Sequence, residues 1–207
     1  SNHCRSTAIL GTRLGLKVHL ILRGEKPDQP EGNLLMDYLS GAEISYLSEN
    51  QWRTHEEFAR SLQDQYLAAG DKALFIPTGA SDEIGLWGYI AACEELQQDF
   101  QNHEIEPDYL LTATGSGGTQ GGLIVGTHLL NMSAKGRAIN VWDDAAYFEE
   151  KIREDVTLWQ QRYNQEINQD QLEIATIEGY VGPGYGKADQ EVFDTIAELA
   201  SSDGLFL

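Results

Sequence analysis

Thr112-Ala113-Thr114-Gly115-Ser116-Gly117-Gly118-Thr119-Gln120-Gly121-Gly122 is the stretch on which the fold of this chain turns. It lies between an apolar run, Tyr109 to Thr114, and a helical pattern, Thr119 to Leu130. The order predicted is strand, tight loop over Gly115 to Gly118, then helix. Glycines let a backbone turn sharply and come close to a ligand. Successive N–H groups in such a loop, joined to a helix start, suit a phosphate. Ser116 and Thr119 would add hydroxyl donors. A plainer reading gives the glycines to a tight turn and close helix–strand packing.

Outward from this loop, short apolar runs alternate with helical stretches, the signature of α/β units around a parallel sheet. On the N-terminal side, Ser1 is a plausible N-cap for a helix through Leu10 and Leu14 that stops near Gly15. Val18 to Leu22 reads as a buried strand, Asn33 to Leu39 as a short helix closed by Gly41, and Ile44 to Leu47 as a strand. Phe58, Leu62 and Tyr66 share a helical face. Ala73 to Ile76 reads as a third strand before the turn Pro77-Thr78-Gly79-Ala80-Ser81. A helix from Asp82 to Leu96 and a polar linker, Gln97 to Glu106, lead into the loop region. Beyond it come a strand over Ala138 to Trp142 ending at Asp143-Asp144, and a long helix with Ile152, Val156, Trp159 and Tyr163 on one stripe. That stripe is expected to pack in the core. Leu172 to Ile177 could be one more strand, Val192, Ile196 and Leu199 mark a last helix, and Gly204 to Leu207 looks like a strand beginning.

Composition narrows the partners. With 33 acidic against 14 basic residues, the net charge of −19 argues against nucleic acid and anionic membrane. No apolar run has the roughly 18 residues a membrane span needs. Two cysteines, Cys4 and Cys93, do not make a disulfide framework and fit a cytoplasmic protein. The five histidines never pair at metal-ligand spacing, so no metal site is expected. Gly115-Ser116-Gly117 lacks the spacing of a nucleophile elbow.

A phosphate loop alone leaves its ligand open. A dinucleotide is one candidate, since Asp143 ends the next strand and could hold a ribose. Against it, Gln120 stands where the third glycine of that fingerprint belongs, and three βα units precede the loop.

Three segments in order resemble the D-cysteine desulfhydrase/1-aminocyclopropane-1-carboxylate deaminase branch of the pyridoxal-phosphate (PLP) enzymes. They are Ser1-Asn2-His3-Cys4-Arg5, the loop from Thr114 to Gly122, and Gly182-Pro183-Gly184-Tyr185-Gly186. Gly32-Asn33-Leu34-Leu35, Pro77 to Ser81 and Asp143-Asp144 match further stretches of that branch. The resemblance implies an α/β, fold-type II (tryptophan synthase β-like) architecture of two open, twisted, mostly parallel sheets flanked by helices. A smaller domain would cover residues 1–78 and a larger phosphate-binding domain residues 79–207, with the cofactor at their interface.

It also implies roles. Asn2 would bond the PLP ring hydroxyl, and Gly115, Ser116, Gly117, Gly118 and Thr119 would hold the phosphate. Ser1 and Tyr185 would face the substrate as the catalytic pair. The family's Schiff-base lysine would precede residue 1, so the chain is expected to be a fragment lacking both ends, inactive alone. The substrate would be a small amino acid, and a homodimer is expected. His3 and the glycine-rich loop look more like desulfhydrases, which release sulfide and ammonia to give pyruvate, than like the deaminases. A degenerate module that binds but does not react is the reading of another class.

Overall fold

The computed structural model describes residues 1–184 and 187–206, which form two compact units, Ser1–Ile76 and Pro77–Leu207.

In the first unit, α1 (Asn2–Arg13) starts under the cap of Ser1, whose hydroxyl accepts from the Cys4 N–H at 3.2 Å. It ends before Gly15, whose φ of +72° turns the chain away. Strand β1 (His19–Arg23), helix α2 (Gly32–Leu39) and strand β2 (Glu43–Leu47) follow, and β1 pairs β2 in parallel with His19 opposite Glu43. Helices α3 (Glu49–Trp52) and α4 (His55–Ala68) complete the unit, and Ala8, Leu20, Leu47 and Ala59 are its buried apolar residues.

Ala73 to Ile76, expected as a strand, is irregular. An apolar run becomes a strand only where a neighbour takes its backbone donors and acceptors. Here the Gln63 side chain donates to the Ala73 carbonyl, and Leu74 stays exposed.

The second unit opens with a turn at Thr78–Ala80 and helix α5 (Leu86–His103). The helix begins four residues later than expected, because the Asp82 carboxylate accepts from the N–H groups of Ile84 and Gly85 and holds a turn first. It then runs through most of the expected linker. Gln97 to His103 is a helical continuation with a polar outer face, ended by Glu104 in the left-handed region.

Strand β3 (Tyr109–Thr114), helix α6 (Gly118–Leu129), strand β4 (Lys135–Asn140), helix α7 (Ala145–Tyr163) and strand β5 (Thr176–Ile177) form a parallel sheet ordered β3-β4-β5. Helices α6 and α7 are its crossovers. Leu172 and Ile174 do not extend β5. They pack into the apolar core with Leu86, Ile90, Ile124, Val125, Ile152, Val156 and Trp159, so most of the expected stripe on α7 is core, with Tyr163 packed against it. Helix α8 (Gln190–Ser202) follows. Gly204 to Phe206 forms no strand, and Leu207 lies outside the described residues.

Helix α6 is buried along almost its whole length and carries Gly118, Gly121, Gly122 and Gly126. A Cβ on Gly122 would lie 2.5 Å from Tyr89 Cβ and 2.8 Å from the Leu86 carbonyl oxygen, and one on Gly126 2.6 Å from Cys93 Sγ. These glycines let α6 lie against α5. The packing that sequence reading placed between helix and strand is between two helices.

Candidate functional site

The glycine loop sits where a ligand-binding turn belongs in a parallel sheet, beyond the carboxyl end of a strand and before a helix. Gly117 has φ +87°, a conformation open to glycine, and ends the loop with α6 beginning at Gly118. The first intrahelical N–H bond there is Gly121 to the Gly117 carbonyl, at 2.8 Å. The N–H groups just before it are the orphan donors of a helix start, which favours negative charge.

One of these donors has a partner from another loop. The Gly118 N–H donates to Ser81 Oγ at 3.1 Å, and Ser81 Oγ donates to Ser116 Oγ at 2.7 Å. Ser81 belongs to the turn after Pro77, where Gly79 takes φ +72° and Ala80 φ +51°. A Cβ on Gly79 would fall 2.3 Å from Ser116 Oγ, and one on Gly118 2.6 Å from Ser81 Oγ. Both positions need glycine, because two serine hydroxyls converge between the loops. The result is a close meeting of two loops through hydroxyls and a backbone donor at the helix start.

Behind it stands α7. Lys151 donates from Nζ to the Ser81 carbonyl at 3.0 Å and is also hydrogen-bonded to the Asp155 carboxylate. Burial pushes the Asp155 carboxyl above its ordinary range, with Lys151 opposing. Next to the loop, Gln120 is buried and donates to Thr176 Oγ1 at 2.9 Å, pinning β5. That residue occupies the position a dinucleotide fingerprint reserves for glycine, and its side chain fills the space.

The first unit holds the other expected residues. Asn2 lies in the first turn of α1, where its Oδ1 accepts from Asn33 Nδ2 at 2.9 Å. Asn33 Oδ1 accepts in turn from Arg5 at 2.9 Å. The amide of Asn2 is thereby braced from α2. Ser1 donates to Cys4 Sγ at 3.1 Å and is exposed. Asp37, one turn after Asn33, is buried with Oδ1 lacking a hydrogen-bond partner, and burial pushes its pKa up. On the paired strands of this unit, His19 is bonded to Tyr66 and Ser45, both at 2.8 Å. Burial lowers the pKa of His19, which favours its neutral form. Ser45 lies mid-strand in β2, away from any helix start that could stabilise an oxyanion.

Tyr185 lies outside the described residues. Among the described residues, no cluster of His, Cys, Asp or Glu could hold a metal ion. No helix among the described residues is long and apolar enough to cross a membrane.

A strand, a glycine loop and a helix start lined with hydroxyls make a candidate site for a phosphorylated ligand on an α/β fold. The chain belongs to the pyridoxal-phosphate dependent enzyme family, whose pattern it matches over residues 1–207. It is 32% identical to the bifunctional D-cysteine desulfhydrase/1-aminocyclopropane-1-carboxylate deaminase, mitochondrial, of Arabidopsis thaliana, over all of this chain and 52% of that protein. It is 33% identical to a putative 1-aminocyclopropane-1-carboxylate deaminase of Thermotoga maritima, over all of this chain and 65% of that protein. A D-cysteine desulfhydrase of Klebsiella pneumoniae is 28% identical, again over all of this chain and 63% of its own length. The crystal structure of an ACC deaminase homologue superposes on the whole chain with a TM-score of 0.86 and 26% identity, covering 61% of that structure. The chain spans between half and two thirds of the length of these relatives.

The family makes PLP the cofactor, and the residues fit it. A phosphate monoester needs donors without bulk, and the Ser116 hydroxyl and the first N–H groups of α6 are of that kind, while the Gly118 N–H and the Ser81 hydroxyl tie the two loops together.

Proposed function

We propose that this chain is the cofactor- and substrate-binding part of a PLP-dependent lyase of the D-cysteine desulfhydrase type. The reaction would convert D-cysteine and water to pyruvate, sulfide and ammonia. The observation that carries the reading is the double-loop cradle, in which Gly79 and Gly118 leave room for the Ser81 and Ser116 hydroxyls at a helix start. Bound PLP supplies an electron sink for the bonds of an amino acid's α-carbon.

The chain's own residues bind and orient. Gly115, Ser116, Gly117, Gly118 and Thr119 hold the phosphate through N–H and hydroxyl donors. Asn2, braced by Asn33, donates to or accepts from the ring hydroxyl. Ser1 presents its hydroxyl to the substrate, and Tyr185 holds or moves a proton over it. A homodimer of cytoplasmic setting completes the proposal, the latter on Cys4 and Cys93 both being free thiols.

A deaminase acting on 1-aminocyclopropane-1-carboxylate is the second reading, supported by the names of the Thermotoga and Arabidopsis relatives. The two separate by specificity, the ratio of kcat/KM values. The full-length protein is assayed with D-cysteine for sulfide and with the cyclopropane for 2-oxobutyrate. A higher kcat/KM for D-cysteine is expected, and a far higher value for the cyclopropane refutes the desulfhydrase assignment.

A further inference from the structure

The phosphate-loop reading leaves without a role a charged pair whose carboxylate is the most buried of the ion pairs among the described residues of the unit. Lys151 and Asp155 stand one turn apart on α7, ammonium to carboxylate. Asp155 is 4% exposed, a rare place for an acid. A buried ion pair contributes little net stability, because desolvation offsets the attraction. Its location is what matters. The stem of Lys151 passes the glycine loop, with Cγ 3.7 Å from where a Cβ on Gly117 would be. Its ammonium holds the carbonyl of Ser81. Lys151 therefore touches both loops of the cradle. Asp82, the residue after Ser81, and the exposed Glu154 act electrostatically on Asp155, so three carboxylates and one ammonium lie in this neighbourhood.

We propose that Lys151 is a positioning residue for the phosphate site, with two effects. It fixes Ser81, and through Ser81 the Gly118 N–H and the Ser116 hydroxyl. It also balances the carboxylates of Asp82 and Asp155, whose field would otherwise oppose a phosphate dianion. This rests on the phosphate-loop reading above.

The test compares affinities of cofactor-resolved full-length protein for PLP and for pyridoxal, which has the same ring without the phosphate. The ratio of the two reports the phosphate site alone, and a loss of general stability does not move it. Lys151→Met keeps the stem and removes the charge, so the ratio falls about tenfold, the scale of one partly screened charge at close range. Asp155→Asn keeps the lysine and removes a repelling charge, so the ratio holds or rises. Lys151→Arg retains most of the wild-type ratio.

Should Lys151→Met fail to fold around its stranded carboxylate, Lys151→Met with Asp155→Asn is read against Asp155→Asn alone, and a lower ratio in the double variant is expected. Equal ratios there overturn the proposal. So does a Lys151→Met ratio within about twofold of wild type, or an equal fall in Asp155→Asn. A wild-type ratio near one would instead overturn the phosphate-loop reading, and this proposal with it.

Discussion

Two glycines on facing helices should respond to alanine with opposite signs. On α6, a Cβ at Gly122 would meet Tyr89 Cβ at 2.5 Å, the Leu86 carbonyl oxygen at 2.8 Å and Tyr89 Cα at 3.3 Å. The obstruction is mostly backbone of α5, which cannot swing aside as a flexible side chain would. Forcing a methyl into contacts this short costs about 2–3 kcal/mol, the upper part of the range for overpacking. Alanine returns up to about 1 kcal/mol of helix propensity, so Gly122→Ala destabilises by about 1–2 kcal/mol. Gly88, on α5, is exposed and has nothing within 4 Å of its would-be Cβ. There the propensity stands alone, and Gly88→Ala stabilises by about 0.5–1 kcal/mol. Urea unfolding followed by circular dichroism measures both. With a slope of about 2 kcal/mol per molar, the Gly122 variant loses about 0.5–1 M in midpoint and the Gly88 variant gains about 0.25–0.5 M. Midpoints that move the same way would refute the claim that α6 glycines exist for contact with α5.

Two further expectations concern the first unit. Asp37 has a carboxyl raised by burial, so the folded state holds its proton at pH values where the unfolded chain, near the ordinary 3.8, has released it. Its contribution to stability is therefore full below pH 3.8 and is lost as pH rises through the raised value. Asp37→Asn removes that dependence, which a midpoint-versus-pH series detects; parallel curves for the two proteins would contradict it. Asn33→Ala frees Asn2 and Arg5 from their shared partner and costs about 1–2 kcal/mol for two bonds, one of them to a charge. Pyridoxal affinity falls with it if Asn2 contacts the ring, whereas unchanged pyridoxal affinity would separate Asn2 from the cofactor.

The strand–loop–helix over Tyr109 to Leu129 was legible because each step has a local cause: β-rich apolar residues, glycines, then helical periodicity. The α7 stripe was legible for the same reason. Ala73 to Ile76 misled because an apolar run does not reveal whether a neighbouring strand exists to pair with it. Gln97 to His103 misled because a helix whose outer face is polar reads, by composition, as a linker. Among candidate site residues, the glycine loop is the one whose sequence alone suggests a role. Ser81 ends a turn that its own residues signal, yet its contact with Ser116 spans 35 positions and has no local signal. Lys151 looked like any lysine on a helix face. Its spacing of four from Asp155, with Ile152 and Val156 of the core stripe immediately after each, was the available clue. Asn33 follows Gly32 at the start of α2, but its grip on Asn2 depends on how α2 lies against α1.

The glycines of α6 have a consequence for the order of folding. Four of them in a 12-residue helix cost about 4 kcal/mol in helix propensity relative to alanine, and helices this short are already marginal in water. Alone, α6 would be a coil. It becomes a helix on meeting α5, an 18-residue helix whose Ile90 and Cys93 supply the surface it needs. The glycine loop shares that dependence, since Gly117 and Gly118 are set by the helix they begin. A candidate site built this way depends on two helices docking, and amide exchange in α6 should report the same opening event as exchange across its seam with α5.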